Sequence, residues 1–366
     1  MKYDFLIVGA GFAGSVFAER IASQLNKKVL IVEKRNHIGG NAYDEYDEHG
    51  ILVHRYGPHI FHTNSKKVFD YLSQFTEWRF YEHRVLAKLN DKLFPIPINR
   101  TTINKLYNKK FTTDAEVAEF YNNVKQKRYP IKNSEDIIVN QVGVDLYEKF
   151  FKFYTKKQWD LDPSELSPSV CGRIPIRTND DDRYFTDKYQ FMPKDGYTKF
   201  FEKMLDNKNI EVVLNTDYKK IINDIKFEKM IYTGPIDYFF DCKFGKLPYR
   251  SIRFEWENVK KEKYQAAAVI NHVDESEELT RVTEYKYLNG QKYNTTTITR
   301  EFPQQNGEPY YPIPTEENEI LYKKYKTEAD KLKNVFFCGR LVEYKYYNMD
   351  QVVASCINVF ESKIKK

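Results

Sequence analysis

The chain has 366 residues, enough for two or three packed cores, since single cores stop growing near ~250–300 residues. Its 58 basic side chains only slightly outnumber 52 acidic ones, and the net charge of +6 suits anionic ligands. No basic block exceeds the terminal Lys363-Ile364-Lys365-Lys366, so no nucleic-acid partner is expected. Four cysteines lie far apart without a CxxC pair, which excludes a disulfide scaffold and a zinc ribbon and leaves no metal site to expect. No apolar run is long enough to span a membrane, and a cytoplasmic enzyme is the plain expectation.

Met1-Lys2 and the apolar stretch to Ala18 imitate a secretory signal, but glycines at dinucleotide spacing argue otherwise. Tyr3 to Val8 reads as a buried parallel strand, Phe12 to Leu25 as a helix, and Lys28 to Val32 as a second strand ending on Glu33. Between them lies Gly9-Ala10-Gly11-Phe12-Ala13-Gly14. The first glycine permits a tight turn, the second admits a pyrophosphate, and the third lets helix pack close to strand. The helix N-terminus offers unpaired N–H groups to phosphate, and Glu33 is placed to accept from a ribose. Lys34-Arg35-Asn36-His37-Ile38-Gly39-Gly40-Asn41 follows, where a nicotinamide domain would continue into a plain helix. This stretch resembles the fingerprint of FAD proteins of the glutathione-reductase and amine-oxidase type, and FAD is the expected cofactor.

Further on, Tyr56-Gly57-Pro58-His59-Ile60-Phe61-His62 sets two imidazoles on a tight turn, suited to lie against a flat ring or donate to an anion. From Thr101 to about Leu166 the pattern is helical. Thr113 with Glu116 makes a capping box, Ser134 is placed to cap the next helix, and Leu146, Tyr147, Phe150, Phe151 and Tyr154 follow a helical period across Val144 to Lys157. Asp162-Pro163 opens another turn. The polar, proline-bearing stretch from Trp159 to Arg183 reads as a mobile loop with three arginines, Arg173, Arg177 and Arg183, which could equally pair with Asp180, Asp181 and Asp182.

Ile210 to Leu214 and Met230 to Pro235 read as returns to the cofactor domain. Alternation then marks an antiparallel sheet over Ser251 to Trp256, Ala266 to Val273, Thr280 to Leu288 and Thr295 to Phe302, with Asn289-Gly290 as a hairpin turn between the last two. Asn334 to Arg340 is a buried strand ending in glycine, and Met349 to Lys363 a closing helix. The fold class is therefore α/β: a Rossmann-like FAD-binding domain (1–75, 205–240, 318–366), an inserted all-helical domain (98–180) and an antiparallel sheet domain (76–97, 181–204, 241–317).

Taken together, Glu33 to Asn41, Tyr56 to Thr63, Tyr154-Thr155-Lys156-Lys157-Gln158-Trp159, Arg173-Ile174-Pro175-Ile176-Arg177, Tyr232 to Asp237, Tyr249-Arg250-Ser251, Pro309-Tyr310-Tyr311-Pro312, and Gly339-Arg340-Leu341 with Tyr344-Lys345-Tyr346 resemble one family over nearly the whole chain: prokaryotic UDP-galactopyranose mutase. The resemblance implies an isomerase that interconverts UDP-galactopyranose and UDP-galactofuranose, without net redox, through a glycosyl adduct at N5 of reduced FAD. It would supply furanose precursors for surface polysaccharide such as lipopolysaccharide O-antigen or capsule. It implies NAD(P)H or another reductant, and a homodimer. The same chemistry on UDP-N-acetylgalactosamine, or an oxidoreductase of the amine-oxidase type, are the alternatives.

The resemblance also implies roles. Arg173 and Arg281 would hold the diphosphate, with Tyr184, Tyr311 and Tyr346 donating to it. Phe150, Tyr154 and Trp159 would enclose the uridine beside Thr155 and Asn271. His83 and Glu301 would complete the substrate site, and Arg340 would touch both flavin and sugar. His62 and Arg340 would join Arg173 and Arg281 in catalysis. The cofactor would be held by Gly9, Gly11, Phe12, Ala13, Gly14, Glu33, Lys34, Arg35, Gly39, Gly40, Asn41, Tyr56, Gly57, His59, Ile60, Gly234, Gly339, Arg340, Asn348, Met349 and Asp350. The chain departs from the family pattern at His83 (usually Asn), Asp160 (usually Gly), Gly172 (usually Lys) and Asn348 (usually Asp).

Overall fold

The computed structural model describes residues 2–366. They form two compact units. One holds the chain up to Tyr81 with Asp187–Leu247 and Ile320–Lys366, and the other holds Glu82–Thr186 with Pro248–Glu319.

The first unit is built on a parallel sheet. Its strands lie in the order Ile210–Val213, Val29–Val32, Lys2–Val8, Lys226–Tyr232, Val335–Phe337, and every pair is parallel. Numbered along the chain, that order is 3-2-1-4-5, with the direction of winding reversing beside the first strand. In sheets of this kind ligands bind where the strands' carboxyl ends part at that reversal. Leu6, Ile7, Val29, Ile31 and Ile231 are fully or almost fully buried, as strands covered on both faces must be. The helix Phe12–Leu25 buries Val16, Phe17 and Ile21, and Phe12 meets Phe201 of the helix Gly196–Leu205 edge-on at 4.8 Å. A small antiparallel sheet with Tyr189–Pro193 at its centre carries Phe61–Thr63 on one side and Trp78–Phe80 on the other.

The second unit is organised by a seven-stranded sheet in the order Tyr311–Pro312, Tyr249–Val259, Thr296–Gln304, Arg281–Glu284, Val269–His272, Val85–Leu89, Lys92–Ile96. All pairs are antiparallel except Val269–His272 with Val85–Leu89. Helices Arg100–Tyr107, Asp114–Val124, Ser134–Tyr147 and Phe153–Trp159 belong to the same unit.

Local structure departs from the sequence expectations in four places. Asn289-Gly290 is not a hairpin turn: Gly290, at φ +73°, ends the short helix Tyr285–Asn289, and the next strand begins only at Thr296. The cause is Lys286, whose buried ammonium donates to the carbonyls of Glu262, Tyr293 and Thr295 and draws the connection into a loop. Ser134 does not cap its helix. Asn133 accepts from Asp136 N at 2.9 Å, while Ser134 Oγ donates to Ser167 O at 2.6 Å. The stretch from Val144 to Lys157 is not one α-helix. Gly143 stands at φ +81°, where a Cβ would lie 2.3 Å from Val124 O, and Glu148–Lys152 is a π turn leading into Phe153–Trp159. Finally, the segment 159–183 has packed structure of its own, including a turn at Pro163–Glu165, a helical turn at Ser169–Gly172, and buried Leu166 and Cys171.

The Thr113–Glu116 capping box and the Asp162 cap do form, the latter with Ser164 N donating to Asp162 at 3.0 Å.

The tightest packing requirement lies at Gly14. A Cβ there would sit 1.9 Å from the carbonyl oxygen of Gly9, which is backbone and cannot swing aside. Gly14→Ala is expected to lower the unfolding free energy by about 3 kcal/mol, the upper end for overpacking. Urea unfolding of the purified protein checks this, and an unchanged midpoint would show that the turn yields freely.

Candidate active site

Cofactor-type residues gather at the carboxyl ends of the first unit's strands. Gly11 and Gly40 approach so closely that a Cβ on Gly40 would lie 2.9 Å from Gly11 Cα. Gly39 N donates to Ala10 O at 2.8 Å, which fastens the second glycine pair against the first turn. Only backbone lines this approach, the condition under which a pyrophosphate can come within reach of main-chain N–H groups. Phe12 and Ala13 lie in the first turn of the following helix, and a Cβ on Gly339 would meet Ala13 Cβ at 3.1 Å. Glu33 accepts from Ala10 N at 2.8 Å and from Arg35 N at 2.9 Å, so its carboxylate props the glycine turn as well as marking the strand end.

Lys34 is exposed, whereas Arg35 lies over the Tyr56 ring at 4.3 Å and donates to Asn41 Oδ1 at 3.0 Å. Tyr56 OH meets His37 Nε2 at 2.6 Å, and His37 stacks on Tyr43. A Cβ on Gly234 would meet Tyr232 OH at 2.8 Å. Asn348 caps the helix Met349–Val359, and Asp350 in its first turn accepts from Thr63 Oγ1 at 2.9 Å. Arg340 lies over the Tyr346 ring at 4.6 Å.

The two histidines of the tight turn are held differently. His59 meets Gly57 O through Nδ1 at 2.9 Å, and its backbone N–H donates to His54 Nδ1 at 3.0 Å, with Ile60 following on the same turn. Desolvation, with the Arg340 charge adding to it, pushes the His59 imidazole down to about 4. His62 Nδ1 faces Asp187 Oδ2 at 2.9 Å, while Asn64 holds the other carboxylate oxygen at 2.7 Å. His54 and Asp187 went unremarked in the sequence. Asp187 is 125 residues from His62 and has no local signal.

In the second unit the expected substrate residues fall into a row. Ala87, Asn271, Arg281, Glu301 and Phe254 are successive cross-strand partners across five neighbouring strands. Side chains directly opposite one another share a face and touch. Arg281 Nη2 donates to Tyr154 OH at 2.8 Å, and Arg281 Nε lies 3.4 Å from Glu301 Oε2. Glu301 is 1% exposed; burial raises its carboxyl pKa, with Arg281 opposing. Tyr154 is pushed up to about 12, chiefly by burial, so its hydroxyl stays protonated at neutral pH.

Trp159, at the end of the same helix, meets Tyr311 edge-on at 6.2 Å. Thr155 Oγ1 lies 3.4 Å from Cys171 Sγ. Phe150 is buried edge-on against Phe94 at 5.6 Å. His83 is buried, its carbonyl accepting from Tyr184 N at 2.6 Å and its ring lying edge-on to Tyr184 and stacked near Phe185.

The three arginines of the 159–183 segment separate. Arg177 is buried and donates to the carbonyls of Asp181 and Arg183. Arg183 pairs with Asp181 at 2.8 Å and with Glu82 at 3.1 Å. Arg173 is exposed on the cap of the Ser169–Gly172 turn. Asp160 stands at φ +58°, a left-handed position that glycine takes without strain. Its carboxylate lies 3.4 Å from Arg250 Nη1 and accepts from Gln305 at 2.8 Å, while Arg250 Nε donates to Gln158 O. Arg250 thus ties down the end of the helix that carries Tyr154 and Trp159.

Residues 149–346 match the model of the UDP-galactopyranose mutase family, and residues 7–75 match that of a Rossmann-like NAD(P)-binding domain. The chain belongs to the UDP-galactopyranose mutase family. A Mycoplasma genitalium protein named UDP-galactopyranose mutase is 39% identical, over 96% of this chain and 92% of the relative. An Escherichia coli protein named dTDP-fucopyranose mutase is 35% identical over 98% of both. The crystal structure of a reduced UDP-galactopyranose mutase superposes with a TM-score of 0.77 over 99% of this chain and 96% of that one, at 16% identity, which shows the shared fold. The enzyme is thus an isomerase of the mutase family, with a Rossmann-like unit of the kind that holds a flavin. No helix among the described residues is long and apolar enough to cross a membrane.

The buried His54 imidazole, pushed down to about 3 by desolvation, accepts a backbone hydrogen bond that only the neutral ring can accept. As pH falls below the ordinary histidine value near 6.5, the unfolded chain binds a proton that the folded one refuses. Stability should therefore decline on acidification by up to about 1.4 kcal/mol per pH unit from this group, and return above pH 6.5. Urea unfolding of wild type and His54→Asn between pH 7 and 5 checks this. Equal slopes would assign the decline to other groups.

Proposed function

We propose that the enzyme interconverts UDP-galactopyranose and UDP-galactofuranose with FAD as its cofactor. The observation that carries the reading is the Asn271–Arg281–Glu301 row with Tyr154 donated to by Arg281. It sets a cation in a largely buried, polar setting of the kind that suits a sugar-nucleotide diphosphate. A bound, reduced flavin supplies the nucleophile for the anomeric carbon and is returned unchanged, so no reductant is consumed per turnover.

The protein's own part is binding and charge stabilisation. As the bond to the diphosphate breaks, negative charge grows on the leaving oxygen. A cation held at that point stabilises the transition state more than the ground state. Arg281 is pre-aimed by Tyr154 and Glu301, so it needs little reorganisation at that moment. Arg173, exposed on its turn, supplies a second cation, with Tyr184 and Tyr311 as hydroxyl donors and Trp159 with Thr155 and Asn271 at the base and ribose. In the first unit the Gly11–Gly40 approach and the neighbouring helix N-terminus take the FAD pyrophosphate, Glu33 and Arg35 lie at the adenosine side, and His59, His62 and Arg340 lie at the flavin side. His59 is neutral at pH 7, so it contacts the cofactor as a dipole and adds no charge.

The Escherichia coli relative keeps a second substrate in view, dTDP-fucopyranose, which shares the diphosphate and the ring change. The test is incubation of dithionite-reduced protein with UDP-galactose, UDP-N-acetylgalactosamine or dTDP-fucose, followed by separation of ring forms. UDP-galactose should convert fastest, and only with reduced protein. Preferential conversion of another nucleotide sugar would move the substrate assignment, and equal rates with oxidised protein would overturn the cofactor's role. Heat denaturation should release FAD, and release of a nicotinamide dinucleotide would overturn that assignment.

Arg281→Ala and Arg173→Ala should each lower kcat/KM by about a hundredfold, the loss of a charge-assisted contact of ~2–4 kcal/mol, with cofactor content unchanged. An arginine whose removal leaves kcat/KM intact does not touch the diphosphate.

A further inference from the structure

Lys157 has no part in the roles assigned above, yet its surroundings are unusual for a lysine. Its ammonium lies within hydrogen-bond distance of four main-chain carbonyls: His272 at 2.8 Å, Asp274 at 2.8 Å, Glu277 at 2.9 Å and Leu279 at 3.2 Å. An ammonium has three N–H donors, so three protons are shared among four acceptors. All four carbonyls belong to the connection between the strands Val269–His272 and Arg281–Glu284, whose facing ends are Asn271 and Arg281.

The strands' register does not need this lysine. His272 N donates to Thr280 O at 2.9 Å within the hairpin, and Thr280 N to Glu301 O on the next strand at 2.9 Å, so the ladder's own bonds carry the register. What they leave open is where the helix Phe153–Trp159 lies over the strand ends. That helix touches the hairpin at two points one turn apart. Tyr154 receives Arg281, and Lys157 gathers the connection. The connection also holds Asp274, Glu275, Glu277 and Glu278, acids that would repel a diphosphate nearby. Lys88 pairs with Glu277 at 2.9 Å, and Lys157 adds a second positive charge to the same loop.

We propose that Lys157 is a positioning residue for substrate binding: by collecting the four carbonyls it locks the Tyr154 helix onto the hairpin, holds Arg281 at the diphosphate and screens the acidic loop. This rests on the reading of Arg281 as a diphosphate ligand. The charged groups around the ammonium are Asp274 and Glu277 on the connection, His272 on its strand, Lys88 on the neighbouring strand with Asp91 beside it, and Lys156 on its own helix. Burial draws the Lys157 ammonium down to about 8, against the pull of Glu277 and Asp274. The ammonium therefore loses its proton within an accessible pH range, and UDP affinity should fall as pH rises from 7 to 9.5.

The experiment uses the full-length, cofactor-loaded protein with UDP as binding probe and UDP-galactose as substrate. Lys157→Met should weaken UDP binding and raise KM by about tenfold, as loss of a charge-assisted contact implies, while kcat changes less and cofactor content is kept. In Lys157→Ala, added ethylammonium should restore much of the UDP affinity, and tetramethylammonium, which has no N–H, should not. Wild-type UDP affinity measured from pH 7 to 9.5 gives an answer even if neither variant folds. Unchanged UDP affinity in both variants, lost affinity that the amine cannot restore, or a flat wild-type pH profile would each overturn the proposal. Arg281→Ala separates the two readings: if it binds UDP as wild type does, the diphosphate assignment itself fails, and if it loses UDP while the Lys157 variants keep it, only the positioning role fails.

Discussion

A guanidinium that is to be held firmly and still accept a diphosphate, the role proposed for Arg281, faces two opposed demands, and its contacts in the second unit meet both. A long, flexible cation left in water would be screened and entropically costly to order at each turnover. Full burial against one carboxylate would neutralise it and leave no driving force for an anion. The sheet resolves this by giving Arg281 two partial partners. Tyr154 contributes a neutral hydroxyl, held protonated by burial, and Glu301 stands 3.4 Å from Nε with its own ionisation made costly. The guanidinium is thus oriented in advance in a medium of low effective dielectric, where a charge acts strongly on an anion.

The first unit meets a different constraint with the same economy of means. Pyrophosphate must come within reach of backbone N–H groups, so side chains must be absent where two main-chain segments cross. Gly11 and Gly40 meet here: a Cβ on Gly40, at φ +57°, would lie 2.9 Å from Gly11 Cα, so a side chain there would displace the first turn. Glu33 then serves the turn from within, since its carboxylate receives Ala10 N. A carboxylate placed there aligns the glycine turn before any ribose arrives, which lowers the ordering cost of binding.

What was legible in the sequence follows from how local each signal is. The Rossmann half was readable because its turn, helix, second strand and acid lie within one short segment, and few other folds combine that period with that glycine spacing. The strand ends near Gly234 and Gly339 were readable for the same reason. The kink at Gly143 was not, because the close approach of Val124 O that leaves no room for a Cβ there is set by tertiary packing that no periodicity reveals, and the π turn at Glu148–Lys152 left no local signal. Asn289-Gly290 misled because a turn signal states only that φ is positive there. A helix cap uses that conformation as readily as a hairpin, and Lys286 decided between them through three distant carbonyls. The arginines at 177 and 183 could not be told from Arg173 by composition, since pairing with neighbouring acids is a matter of direction. The cross-strand row was invisible for a similar reason: Asn271, Arg281 and Glu301 are only neighbours once register is known.

The departures from the family pattern bear on how far that row fixes the substrate. Asp160 keeps the left-handed turn that glycine would supply and adds a carboxylate that pairs with Arg250 and Gln305, so the helix bearing Tyr154 and Trp159 is anchored by side chains. At Gly172 a Cβ would lie 2.7 Å from Ile137 Cδ1, the mobile tip of a side chain, so a larger residue there asks only that Ile137 shift. Neither change touches the row itself. A diphosphate and an anomeric carbon are common to the substrates named for both relatives, so the row accounts for the class of reaction and for little of the choice among sugars. That choice must come from groups that meet the parts in which nucleotide sugars differ. His83 is proposed as such a group: it is buried, with its ring beside those of Tyr184 and Phe185. A ring that binds one hydroxyl by hydrogen bond rejects the deoxy analogue strongly, whereas one that merely packs against a methyl group rejects the hydroxyl weakly. On the proposed reading of His83 as a substrate residue, the preference among nucleotide sugars turns on whether it meets the sugar through a nitrogen or through its ring face.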